Sequence, residues 1–165
     1  MTPQPGGCLC GALRYEVTAP PVRVTFCHCR FCQRATGAPY FMEPIFEEEA
    51  FTFTAGTPRL YEHRSEGSGK MILAHFCETC GTKLVYTFER FPGLLGIFGG
   101  TFDDPDWIKW DGENAKHIFL QTALAGTVLP SGVPTYIRHA TTNDGVPEEA
   151  TIFDHPHPVA LGGNS

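Results

Sequence analysis

Near the start of the chain Leu13, Tyr15 and Val17 are interleaved with Ala12, Arg14 and Glu16. A period of two predicts a strand with one buried face, because successive side chains of a strand point to opposite sides. Pro20-Pro21 ends that strand, and Val22 to Phe26 predicts a second, shorter one. Residues Arg30 to Ala35 lack strand character and predict one or two helical turns, stopped by Thr36-Gly37-Ala38-Pro39. Strand patterning recurs over Tyr40 to Phe46, Phe51 to Thr54, Arg59 to His63, Met71 to Phe76, Lys83 to Phe88, Leu94 to Thr101 and His117 to Thr122. Between these lie an acidic patch, Glu47-Glu48-Glu49, read as a solvated loop, and two turns, Ser65 to Gly69 and Phe102 to Asp106. Trp107 to Gly112 is irregular.

The pattern describes a mainly β fold, and composition agrees. A chain of 165 residues holds 18 Gly and 14 Pro, which favours short strands joined by turns over a helical bundle. That length suits a single domain, placed at residues 1–140. From Thr141 the sequence is polar or rich in Pro and Gly, ending in His155-Pro156-His157-Pro158 and Gly162-Gly163-Asn164-Ser165, so 141–165 is expected to be a loosely held tail. No internal repeat of solenoid length is present.

Charge narrows the partners. With 18 Asp and Glu against 12 Lys and Arg, no general attraction to nucleic acid or to an anionic membrane is expected. The segment Met1 to Gly7 lacks the basic and apolar stretches of a secretory signal, and the apolar run Leu94 to Gly100 falls well short of the roughly 18 residues of a membrane span. A reducing, cytoplasmic setting is the expectation, and the oligomeric state is left open. In such a setting seven cysteines, an odd number, fit metal ligation better than a disulfide framework.

The thiols fall into three groups: Cys8 with Cys10, Cys27 with Cys29 and Cys32, and Cys77 with Cys80. Two pairs far apart in sequence supply the closed set of four that a structural zinc needs. Both pairs are followed by Gly, at Gly11 and Gly81, whereas Cys32 is followed by Gln33. Cys8, Cys10, Cys77 and Cys80 are therefore the candidate structural site. Cys27, Cys29 and Cys32 remain as three ligands with an open fourth position, the arrangement of a catalytic zinc. His28, His75 or a ligand from elsewhere stay as alternatives for that position, while His155 and His157 read as tail residues. Zinc with three thiolates carries a net charge of about −1, which suits it to holding a nucleophilic thiolate rather than polarising a carbonyl. A thiol substrate adding to a small aldehyde is the reaction that follows. Arg30 and Arg34 could neutralise the carboxylates of a glutathione-like thiol, against the alternative of solvated surface arginines.

Five segments together resemble the glutathione-dependent formaldehyde-activating enzyme family, which includes centromere protein V. They are C-L-C-G-A-L-R-Y from Cys8, F-C-H-C-R-F-C-Q-R-A-T-G-A-P-Y from Phe26, F-C-E-T-C-G-T-K-L-V-Y from Phe76, G-G-T-F-D-D-P-D from Gly99 and K-H-I-F from Lys116. The resemblance covers about residues 6 to 137. It implies a complex mainly β fold related to a Rab nucleotide-exchange factor and to methionine sulfoxide reductase B. It also implies a structural zinc on Cys8, Cys10, Cys77 and Cys80 and a catalytic zinc on Cys27, Cys29 and Cys32. The implied reaction condenses glutathione with formaldehyde to S-hydroxymethylglutathione, a carbon–sulfur lyase reaction in reverse. Leu124 to Pro130 departs from the family pattern in being smaller and more apolar. The competing reading is a non-catalytic zinc module that binds a protein partner.

Overall fold

The computed structural model describes residues 1–160. It is mainly β: β1 Gln4–Gly7, β2 Arg14–Val17, β3 Arg23–Cys27, β4 Phe41–Glu47, β5 Phe51–Ala55, β6 Arg59–Arg64, β7 Met71–Phe76, β8 Lys83–Phe88, β9 Leu94–Ile97, β10 Ala115–Ile118, β11 Val128–Leu129 and β12 His157–Pro158. One helix, α1, spans Arg30–Thr36. Among the described residues no helix is long and apolar enough to cross a membrane. The chain divides into two compact units, Met1–Arg23 with Glu43–Lys109, and Val24–Met42 with the chain from Trp110.

In the first unit β1, β2 and β5 form an antiparallel sheet. Tyr15 and Val17 of β2 are wholly buried and Leu13 nearly so, the face that the alternation predicts. Tyr15 lies opposite Gly6, where a Cβ would sit 2.3 Å from the tyrosine ring, so only glycine fits. Its hydroxyl hydrogen-bonds Thr101 Oγ1 at 2.8 Å. The strands β4, β9, β8, β7 and β6 follow one another in that order, all antiparallel. Phe46, Leu84, Val85, Tyr86, Leu95 and Ile97 are fully buried along this run. Each such side chain stabilises by roughly 1.5–3 kcal/mol relative to exposure.

The second unit is built on a parallel pair, β3 beside β10, in which Phe26 faces His117 and Cys27 faces Ile118. Helix α1 leaves directly from the end of β3, and Gly37 at φ +70° closes it. β11 pairs with β12, Thr135 bridges Thr151, and the Gly132 amide donates to Phe153 O at 2.9 Å. Phe153 stacks on His157 at 4.0 Å. The expected tail also takes in 161–165, which lie outside the described residues.

Two of the expected strands are shorter than their apolar patterns. The one from His117 ends at Ile118 because Phe119 adopts a left-handed conformation (φ +63°), and a 3-10 turn, Leu120–Thr122, follows. The one from Leu94 stops at Ile97, and Gly99–Thr101 forms another 3-10 turn.

Candidate metal centres

All seven cysteines fall into two clusters, one in each unit, and within each the sulfurs lie within 4.8 Å of one another. The first contains Cys8, Cys10, Cys77 and Cys80. Cys8 and Cys10 sit on the turn into β2, and Cys77 and Cys80 on the turn between β7 and β8. The turns are built alike. Cys8 N donates to Leu13 O (3.0 Å) and Cys77 N to Thr82 O (2.9 Å), while the Gly11 and Gly81 amides donate back to Cys8 O and Cys77 O. Both glycines have positive φ, +76° and +74°, which a side chain would resist. Thr82 joins the turns, its Oγ1 accepting from Leu9 N at 3.3 Å and lying 3.2 Å from Cys80 Sγ. Sγ of Cys10 is 3.5 Å from that of Cys8 and 3.7 Å from that of Cys77. A tetrahedral ion bound to sulfur at about 2.3 Å sets its ligands about 3.8 Å apart, so these sulfurs fit one ion closely. The side-chain and backbone hydrogen bonds of Thr82 hold Cys80 down to about 5, ready to act as a thiolate ligand.

The second cluster contains Cys27, Cys29 and Cys32. Cys27 ends β3, Cys29 is the N-cap of α1 and Cys32 lies in its first turn. The cap fixes the geometry: Cys29 Sγ accepts the Cys32 amide at 3.3 Å, satisfying an N–H that the helix leaves without an internal partner. Cys27 and Cys32 are buried and Cys29 half-buried. Hydrogen bonds from the Cys27 and Cys32 thiols, with help from the Cys32 and Phe31 amides, pull Cys29 down to about 3. Cys32 is pushed up by its thiol neighbours Cys27 and Cys29, with burial adding to the effect. One sulfur thus carries charge while its neighbours share their protons with it, an arrangement that a cation stabilises by displacing those protons. Among the described residues no fourth donor joins this cluster. His28 stands outside it, and so does His75, whose Nε2 lies 3.1 Å from Thr87 Oγ1. His155 is exposed and His157 is engaged by Phe153.

His28 turns its ring away from the thiols and towards His117, Nε2 to Nδ1 at 2.9 Å. Both rings are buried, and burial pushes each down to about 4, so both are neutral at physiological pH. His117 stacks on Phe26 at 4.7 Å, and Tyr40 lies 5.1 Å from His28. The triad loop is tied down at the His28 carbonyl, which accepts from Gln33 Nε2 (2.6 Å) and Thr122 Oγ1 (3.0 Å). Sequence reasoning gave His117, Gln33 and Thr122 no role. The K-H-I-F segment was the available signal for His117, and nothing local marks the other two. Arg30 and Arg34 are exposed, and the Arg30 guanidinium donates to Gln33 Oε1.

The family model described as "Glutathione-dependent formaldehyde-activating enzyme" matches residues 3–122, a span that takes in all seven cysteines and His117. A Halomonas elongata protein described as a "putative glutathione-dependent formaldehyde-activating enzyme" is 23% identical over 133 residues, covering 69% of this chain and 85% of that protein. A crystal structure of a Rhodobacter sphaeroides protein superposes with a TM-score of 0.49 at 21% identity, covering 60% of this chain and 87% of that one.

Proposed function

The chain belongs to the glutathione-dependent formaldehyde-activating enzyme family, and on that premise we propose that it is a zinc-dependent enzyme of the carbon–sulfur lyase type. It condenses a thiol such as glutathione with formaldehyde or another small aldehyde. One observation carries this reading: one cluster has four sulfurs and the other three, with no further donor among the described residues. Cys8, Cys10, Cys77 and Cys80 would hold a structural zinc, and Cys27, Cys29 and Cys32 a catalytic one. The donor sets fit, because sulfurs at these separations match a tetrahedral ion and soft thiolates favour zinc over hard cations. At the triad the ion supplies, when bound, a vacant position for a thiol sulfur and a charge that favours its thiolate form.

The protein's own contribution is placement. The end of β3 fixes Cys27, the helix cap fixes Cys29 against the Cys32 amide, and the bonds to the His28 carbonyl hold the loop between them. Burial of Cys27 and Cys32 keeps water from the sulfurs. In the reaction the thiol S–H bond breaks, an S–C bond forms, and the carbonyl electron pair moves to oxygen, which takes a proton. Arg30 and Arg34 offer positive charge near the triad for the carboxylates of glutathione. Seven thiols without a disulfide suit a reducing compartment, the cytoplasm.

The test is metal content together with the rate of S-hydroxymethylglutathione formation from 13C-formaldehyde, followed by exchange NMR. We expect two zinc ions per chain and an accelerated rate, with one zinc and no acceleration in Cys29→Ser. Unchanged zinc and unchanged rate in that variant would defeat the proposal.

A further inference from the structure

Gln33 is buried on α1, at 6% exposure. A buried side-chain amide needs partners at both ends, and here their kinds are fixed. Its Nε2 donates to two carbonyls, His28 O at 2.6 Å and Thr122 O at 2.8 Å. Only an NH2 group can face two acceptors, so the amide cannot be reversed. Its oxygen is left for the opposite side, where it accepts from Nη1 of Arg30.

Gln33 is thereby a spacer between the triad loop and one guanidinium. His28 is the residue between Cys27 and Cys29, and a single side-chain amide separates its carbonyl from Arg30. The second carbonyl, that of Thr122, belongs to the turn opened by the left-handed Phe119, with Thr122 N donating back to Phe119 O at 3.1 Å. Positive φ is strained for a bulky side chain and persists only where the surroundings require it. Here it presents Thr122 to both Gln33 and His28.

A guanidinium held in this way suits a carboxylate. Its planar fork carries five N–H groups, of which the amide of Gln33 takes one, and the side chain is exposed. An arginine already tied down has less freedom to lose when a ligand arrives. Arg34, one turn along α1, has no such tie to its guanidinium among the described residues. The need for a local cation is real, because the chain carries a net charge of −6 and repels an anionic thiol in general.

We propose that Arg30 makes the site selective for thiols that carry a carboxylate, and that Gln33 is the residue that positions it, an inference that rests on the function proposed above. The substrate sulfur goes to the triad. The carboxylate, several bonds away in glutathione, goes to the open edge of the Arg30 fork, which Gln33 keeps in register with the triad loop.

The test compares kcat/KM for glutathione with that for 2-mercaptoethanol, a neutral thiol, using 13C-formaldehyde and the zinc-loaded protein. Damage common to both thiols cancels in the ratio. Arg30→Ala should lower the ratio about 10-fold, the low end for a hydrogen bond to a charged group. It should weaken calorimetric binding of S-methylglutathione, which has the carboxylates but no free thiol, by the same factor. Gln33→Met should lower the ratio comparably, and the double variant no further, because both residues act through one guanidinium. An unchanged ratio or unchanged binding in Arg30→Ala overturns the proposal, and so does a double variant whose losses multiply. Should Gln33→Met not fold, Arg30→Lys decides the point by keeping the charge without the fork. A lowered ratio there supports a held geometry, and a wild-type ratio overturns it. A wild-type protein that gives no acceleration defeats the proposed function and this inference with it. Acceleration with a ratio indifferent to Arg30 defeats this inference alone.

Discussion

The two cysteine clusters gather their sulfurs equally tightly, within 4.8 Å, from opposite materials. The four-thiol cluster joins two turns distant in sequence, leaves Cys10 exposed and Cys80 half-buried, and needs a positive-φ glycine in each turn. Thr82 beside it spends its hydroxyl on the turns themselves, at Leu9 N and Cys80 Sγ. The three-thiol cluster comes from one strand end and one helix start, is more deeply buried, and adjoins two histidines with unused ring nitrogens. Four sulfurs held by their own backbone turns would close around the proposed zinc and leave it nothing to exchange. A set one donor short, beside polar groups in reserve, is suited to receive something from outside.

The sharpest way to break this contrast is to remove one donor from each side. Cys77→Ser should abolish cooperative thermal unfolding, because binding at a structural zinc site contributes on the order of 10–16 kcal/mol that the fold depends on. A circular-dichroism melt like that of the wild type would show that the four-thiol cluster does not hold its unit together. Cys29→Ser should keep a cooperative melt, shifted by only a few degrees, while losing one zinc and the aldehyde chemistry. Collapse of both variants would erase the distinction.

Smaller effects sharpen it. Gly81→Ala places a methyl in open space, so its effect is confined to the positive φ, about 1–2 kcal/mol by urea unfolding. Gly37→Ala faces the same strain at the end of α1, and should lower stability comparably without loosening the four-thiol metal, whereas Gly81→Ala should speed its loss to a chelator. The smallest effect lies at the partly exposed pair of Arg14 and Asp103. Arg14 hydrogen-bonds Asp103 and holds its carboxyl below the usual range. That contribution is present above the ordinary carboxylate pKa and is lost as pH falls through the lowered value. Asp103→Asn should cost under about 1 kcal/mol at neutral pH, flatten that part of the acid limb of the stability profile, and leave zinc content unchanged.

The sequence was most legible where one face of one element decides the outcome. Leu13, Tyr15 and Val17 are buried on β2 as their spacing predicts, and Arg30 to Ala35 begins a helix that Gly37 closes. The grouping of the sulfurs into four and three was also legible, because close cysteine spacing and repeated Cys-x-x-Cys-Gly-like turns show which sulfurs can gather. What stayed hidden depends on pairing. β1, β11 and β12 are short and rich in Pro, Gly or isolated residues, so no alternation marks them. The parallel pairing of β3 with β10 sets His117 beside His28 across 89 residues of chain, and no local pattern encodes that meeting. Phe119 breaks the strand from His117 by its backbone angle, although its side chain suits a strand.

The spacing of the sulfurs also bears on the order in which the protein can assemble. Cys27 to Cys32 closes a loop of five residues (32 − 27), while Cys8 to Cys77 closes one of 69 (77 − 8). Chain entropy makes the longer closure harder by about 2 kcal/mol. A ribosome has supplied every donor of the triad once Cys32 emerges, but the four-thiol set waits for Cys80. During synthesis the short cluster would therefore be able to capture the proposed ion from a chain that is still growing, and the long one would act last, as the clasp that closes a nearly finished unit.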